Sequence, residues 1–420
     1  MTIAAARGLS PVRTVLDTGA VVIVQETSTA PAVTINATVL AGGVYEGPEQ
    51  QGLAYLVGRV LDRGTEQRSA ELLAEELDDR GVSLRISSSR HATILTCTCL
   101  SEDFDDVLAL IVDVVRRAAF PQAEVAKRKA ECLSAIRQDE DNPSVRAVEA
   151  LFEILYGATH PYGRRAKGTV ESVERIGRDD LVAFHAARFQ PSALSLAIVG
   201  HIGAERALKR AALELDGWAA GSPGSFTLPE PPTSTVRRQR VIHVPGKSQS
   251  EIAYGFTAIR RLDPRYDAYF VLNNILGQFG LGGRLADNIR ERQGMAYYAF
   301  STLDPSVGIG PLIVRAGVDP EHVERTLEAI DYEVRSLGTD GPTEAELEQT
   351  RQFLIGSIPR TLETNAGIAA FLQSEEQFGL GLDYDRQLAD DLRAVTLEQV
   401  GAAARELLHP DRAAVSIAGP

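Results

Sequence analysis

The chain has very little cysteine. Its three residues, Cys97, Cys99 and Cys132, are odd in number and irregular in spacing, which excludes a disulfide framework. Cys97 and Cys99 alternate within an apolar run and so share one face of a strand. Two thiols with no further cysteine or histidine nearby make no zinc site. Runs of lysine and arginine are also missing, and the net charge is −14, from 57 acidic and 43 basic residues. A nucleic-acid partner is thereby excluded, because it would require a basic footprint. No window approaches the ~20 apolar residues of a membrane span, so no membrane partner is expected. The segment Met1–Arg13 lacks the apolar stretch of a signal peptide, which makes the cytoplasm the expected compartment. None of the seven histidines lies three or four positions from another, so no helical pair is available to grip a metal.

What is present is an internal repeat. The segment from Pro191 to Gly200 recurs from Pro410 to Gly419, a shift of 219 positions (410 − 191). The same shift carries Leu108, Ile111 and Val115 onto Leu327, Ile330 and Val334. These are the apolar positions of a helix, spaced three and four apart. Asp319-Pro320 supplies an N-cap and a first-turn proline before the second copy. A chain of 420 residues therefore reads as one unit used twice. Between the copies, Gly221–Ser225 and Pro229–Pro232 are rich in residues that block helix and strand. The expected organisation is a first domain over 1–220, a linker over 221–235 and a second domain over 236–420.

Strand patterns fall at 21–24, 32–40, 82–88, 93–100, 251–256 and 312–316. Helical periodicity falls at 53–61, 70–77, 104–115, 125–136, 268–276, 323–337 and 344–355. Runs of strands followed by clustered helices predict an α+β fold, with a mainly antiparallel sheet and packed helices in each domain.

The stretch Gly42-Gly43-Val44-Tyr45-Glu46-Gly47-Pro48, continuing through Gly52-Leu53-Ala54 to Arg63-Gly64-Thr65, resembles the frame around the active helix of the pitrilysin and mitochondrial processing peptidase family of zinc peptidases, the inverzincins. The resemblance implies a processing-peptidase-like metallohydrolase fold. That family carries His-x-x-Glu-His inside this frame. Two histidines four apart share a helical face and bind zinc, and the glutamate activates the metal-bound water. Here the five positions are Tyr55-Leu56-Val57-Gly58-Arg59. Tyr55 and Arg59 replace the histidines and Gly58 replaces the general base. The family's third ligand, a later glutamate, falls on Ala135. The chain is therefore expected to bind no metal and no cofactor of its own, with Tyr55 a packed aromatic and Arg59 a solvated or paired cation. The family's substrate-pairing strand, Asn-Ala-x-Thr, becomes Arg85-Ile86-Ser87-Ser88.

The second half departs less. Gly283-Arg284-Leu285 and Asn288-Ile289-Arg290-Glu291-Arg292-Gln293-Gly294-Met295-Ala296-Tyr297 resemble the family's C-terminal motif. Its Arg and Tyr, seven apart, fall on Arg290 and Tyr297. In that family the pair donates to the carbonyl oxygens of the peptide under attack. Gly294 is expected to end the helix, leaving Arg290 in the last turn and Tyr297 at the start of a strand. The glycine-rich Gly277–Gly283 follows a helix rather than a strand, so it is not a dinucleotide loop; a flexible loop is expected.

The resemblance implies the zinc-less, non-catalytic subunit of a heteromeric peptidase. Its expected partners are a homologous zinc-bearing subunit, where the zinc would reside, and peptide substrates. The alternative is a structural or peptide-binding scaffold of the same fold, for which a homodimer is one assembly, with no role in proteolysis.

Overall fold

The computed structural model describes residues 8–219, 221, 226–278 and 282–420. Two sheets organise the chain. The first contains β1 (Val12–Val15), β2 (Val21–Glu26), β3 (Ala32–Val39), β4 (Arg85–Ser88), β5 (Thr93–Leu100) and β6 (Leu194–Gly200), in the order β1-β2-β6-β3-β5-β4. The second contains β7 (Arg238–His243), β8 (Ser250–Ile259), β9 (Ala296–Leu303), β10 (Gly310–Val318) and β11 (Ala414–Gly419), in the order β7-β11-β8-β10-β9.

The repeat is visible in this topology. With β1 set aside, both sheets run parallel, antiparallel, antiparallel, antiparallel across their order. Ile111 and Val115 are buried on the helix Phe104–Arg116, and Ile330 and Val334 are buried on the helix Val323–Asp340. Each sheet is therefore α+β and mainly antiparallel, with a single parallel pairing.

The compact units do not follow the sequence boundary. One gathers the residues up to Ile136, Arg165–Thr227 and Pro359–Arg386; the other gathers Arg137–Arg164, Leu228–Ile358 and Gln387–Pro420. Each sheet receives a helix from the other repeat. In the first unit the helix Asn365–Phe378 lies on β3 and β6, burying Ile368, Ala369 and Leu372 against Ile23, Ala197 and Val199. Gln373 on that helix donates to the carbonyls of Asn36 (2.8 Å) and Ser195 (3.0 Å). In the second unit the helix Pro143–Tyr156 lies on β8 and β11. Packing thus exchanges one helix each way across the expected boundaries 1–220 and 236–420. The expected linker 221–235 lies partly outside the described residues; from Phe226 to Pro232 it has no helix or strand.

Candidate functional site

The degenerate helix is Leu53–Val60. Gly52 enters it at φ +92, where a Cβ would lie 2.4 Å from the Lys167 carbonyl, so only glycine fits. The Glu46 carboxylate accepts from the backbone of Gly52 (3.1 Å) and Ala54 (2.7 Å). A buried carboxylate at a helix N-terminus satisfies otherwise orphaned donors and complements the dipole. The frame is thus intact although the chemistry within it has changed.

Tyr55 is half-buried and packs against the core of the first unit. Arg59 is exposed and pairs with Glu131 at 3.3 Å. Glu131 sits on the helix Gln122–Glu140, one turn before Ala135. The two helices that a zinc ion would join in the family are joined here by an ion pair. Arg128 also holds Glu131 at 2.8 Å, and this hydrogen bond, more than the pairing with Arg59, keeps the carboxyl below its usual range. Nearby Asp62 is held above its usual range by burial, which outweighs the surrounding arginines.

Gly58 is the most informative position. A Cβ there would stand 2.3 Å from the Ser88 hydroxyl oxygen. That hydroxyl donates to the Ala54 carbonyl at 3.1 Å, which ties β4 to the helix. The second half repeats the arrangement. Gly277 and Asn273 stand 219 positions after Gly58 and Ala54 (277 − 58). A Cβ on Gly277 would meet the Ser301 backbone nitrogen at 2.7 Å, and the Ser301 hydroxyl donates to the Asn273 carbonyl at 3.0 Å. Both halves therefore close the helix against its edge strand with a glycine and a serine. Sequence reading missed this seam, although the shift of 219 already aligned the two glycines.

These residues do not fit a zinc ion. Tyr55, Gly58, Arg59 and Ala135 offer no ligand set, and Arg59 places a fixed cation there. Among the described residues, no group of three or more His, Cys, Asp or Glu side chains is arranged to hold a metal. Two histidines serve packing instead. His160 bridges the Pro229 carbonyl (2.9 Å) and the Tyr162 backbone N–H (3.0 Å), and His185 bonds the Val115 carbonyl (2.8 Å).

In the second unit, Arg284 makes a two-pronged ion pair with Glu346 (2.6 and 2.9 Å). It anchors the start of the helix Ala286–Arg292, which is wound with wide turns. Gly294, at φ +61, ends that helix. Its N–H donates to the Arg290 carbonyl (3.1 Å), and the Met295 N–H donates to the Ile289 carbonyl (3.0 Å). Arg290 occupies the last turn with an exposed guanidinium, 3.4 Å from the carboxylate of its neighbour Glu291.

Tyr297 is the second residue of β9, an edge strand. Tyr298 pairs with Gly317 and Ala296 with Val318, so Tyr297 is the extra residue of a β-bulge. Bulges re-aim side chains, and Tyr297 is 86% exposed. The adjacent Tyr298 is half-buried and bonded to Glu251. The family resemblance pointed to this tyrosine; the bulge that turns it outward carried no sequence signal. In the expected loop Gly277–Gly283, residues 279–281 lie outside the described residues.

Known proteins share this plan. Residues 21–167 match the family model described as insulinase (peptidase family M16), and residues 175–354 match the one described as the peptidase M16 inactive domain. An uncharacterised zinc protease of Mycobacterium leprae is 28% identical over 99% of this chain and 93% of its own length. A Helicobacter pylori protein named as a non-peptidase homologue is 25% identical over 90% of this chain and 87% of its own. The solved structure of a peptidase M16 inactive domain from Pseudomonas fluorescens superposes with a TM-score of 0.91 at 26% identity, covering 98% of each chain. No helix among the described residues is long and apolar enough to cross a membrane.

Proposed function

The chain belongs to the M16 family of peptidases, and from that premise we propose that it is the zinc-less subunit of a two-chain peptidase, lending Arg290 and Tyr297 to a substrate held by a homologous zinc-bearing chain. This is an M16 protein without a zinc ligand set of its own among the described residues.

One asymmetry carries the finer reading. At the place of the family's general base, Gly58 and Ser88 make the seam that Gly277 and Ser301 make in the second half. The Ser88 hydroxyl there is committed to structure. Arg290 and Tyr297 are not: one guanidinium is exposed beside its neighbour's carboxylate, and one phenol stands 86% exposed on a bulge. An exposed phenol held by a rigid strand suits donation to a carbonyl oxygen, with the guanidinium adding positive charge as the oxygen gains negative charge. Bond cleavage itself belongs to the partner's site.

The reading is tested by mixing. The isolated chain should cleave no unfolded peptide and should keep no stoichiometric zinc after dialysis against chelator. Adding a homologous chain with an intact His-x-x-Glu-His should give a complex with higher turnover than that chain alone. A mixture that neither associates nor gains activity would favour the scaffold reading.

A further inference from the structure

Strand β7 is outermost in the second sheet, but its repeat counterpart β2 is not outermost in the first. There β1 pairs antiparallel with β2, matching Val12 with Val24 and Thr14 with Val22, and Leu16 N–H donates to the Ala20 carbonyl at 2.9 Å.

The backbone of β7 is half used. Arg238 N–H donates to the Ala413 carbonyl (3.0 Å) and Val244 N–H to the Gly419 carbonyl (2.7 Å). In a parallel pair alternate residues face the partner, so Gln239, Val241 and His243 turn their N–H and C=O groups outward. Their counterparts in the first sheet are Ala20, Val22 and Val24, the residues that β1 engages. Among the described residues the chain supplies no second such strand. The positions equivalent to β1 are Pro231-Pro232-Thr233-Ser234, and proline has no N–H to give.

Charge specifies the occupant. Arg237 is neutralised by Asp331 (2.7 Å) and Arg240 by Glu153 (2.6 Å). Among the described residues no such carboxylate pairs with Arg238, and its Nε is buried without a hydrogen-bond partner. A second copy's β7 laid alongside would add more arginines and no acid. We propose that β7 is a docking edge for an extended segment of a different polypeptide, added antiparallel, that carries a carboxylate opposite Arg238. Main-chain bonds would give the affinity and the carboxylate the register, as in strand addition generally. The site is separate from Arg290 and Tyr297, so its test is independent of the catalytic reading.

The chain contains a suitable probe. If the β1–β2 register is extended, Asp17 falls opposite Gly19, whose counterpart is Arg238. A synthetic peptide with the sequence of residues 10–18 would place a carboxylate there, and its Asp17→Lys variant would place an amine. Hydrogen exchange of the full chain is followed by mass spectrometry as either peptide is titrated. The Asp17 peptide should slow exchange over 239–243. The lysine variant should bind about tenfold more weakly, the usual scale of one charge-assisted bond. Arg238→Glu in the protein should reverse that preference. No slowing over 239–243 at millimolar peptide would overturn the proposal, as would slowing indifferent to charge on either side. Slowing that depends on protein concentration without peptide would overturn it in favour of self-pairing.

Discussion

Replacing Gly58 with alanine should change stability with a sign set by residue 88. In an ordinary helix interior, glycine to alanine stabilises by about 0.5–1 kcal/mol. Here the new methyl would stand 2.3 Å from the Ser88 hydroxyl oxygen. Ser88 must rotate away and lose its bond to the Ala54 carbonyl, which leaves a half-buried hydroxyl without a partner at about 1–3 kcal/mol. This exceeds the helix gain, so Gly58→Ala should destabilise by about 1–2 kcal/mol. In a Ser88→Ala background the hydroxyl is absent. The nearest remaining atoms, Ser88 Cβ at 3.7 Å and Ile86 Cγ2 at 3.9 Å, are ordinary contacts. Gly58→Ala should then stabilise by about 0.5–1 kcal/mol. The double-mutant cycle, measured by urea unfolding of all four proteins, should give a coupling of about 2 kcal/mol. A Gly58→Ala effect that is the same in both backgrounds would refute the seam as the reason for glycine at this position.

Three further outcomes follow from buried groups. His185 is neutral and buried, with its pKa pushed down by burial to about 4; its stabilising contribution is present above its ordinary pKa of about 6.5 and lost as pH falls through 4. His185→Gln, which can still donate to Val115, should flatten the acid limb of a stability–pH curve by up to about 3 kcal/mol. Glu375 is 2% exposed. Burial, with Asp385 and Asp383 adding repulsion, raises its pKa to about 7. Its stabilising contribution is complete below about 4.5 and lost as pH rises through 7, so Glu375→Gln should raise stability at pH 8 by about 1–2 kcal/mol and change little at pH 5. The adjacent tyrosines should behave differently in thermal unfolding. Tyr297→Phe should stay within about 0.5 kcal/mol of the parent, while Tyr298→Phe, which leaves half-buried Glu251 without its hydroxyl partner, should cost about 1–2 kcal/mol.

Local pattern and repeat were legible for clear reasons. Thr93–Leu100 is rich in β-branched and apolar residues, buries every second side chain and is β5 from end to end. Asp319-Pro320 caps the turn that opens the helix Val323–Asp340. The shift of 219 implied two like sheets because strand content and spacing repeat together. Long-range choices were not legible. Nothing in Asn365–Phe378 says that it covers the first sheet rather than the second; its apolar face fits either, and Gln373 settles the matter only once Asn36 and Ser195 are adjacent. The parallel pairing of β2 with β6 spans about 170 residues and left no local mark. At the site, the losses at Tyr55, Gly58, Arg59 and Ala135 were readable because metal ligation tolerates few residue types. What replaced them was not, because Glu131 and Ser88 are ordinary residues whose roles depend on which helix and strand they meet.

If Arg290 and Tyr297 act on a substrate held by another chain, their removal should slow cleavage in that complex. The direct measurement is kcat in a complex reconstituted with a zinc-bearing homologue, using wild type, Tyr297→Phe and Arg290→Ala, with assembly verified by sedimentation. Removing one donor to a developing oxyanion typically lowers turnover by about 10²–10³. The account predicts losses of that size in kcat with the complex intact. Wild-type turnover from both variants in an intact complex would contradict it and leave the chain a scaffold.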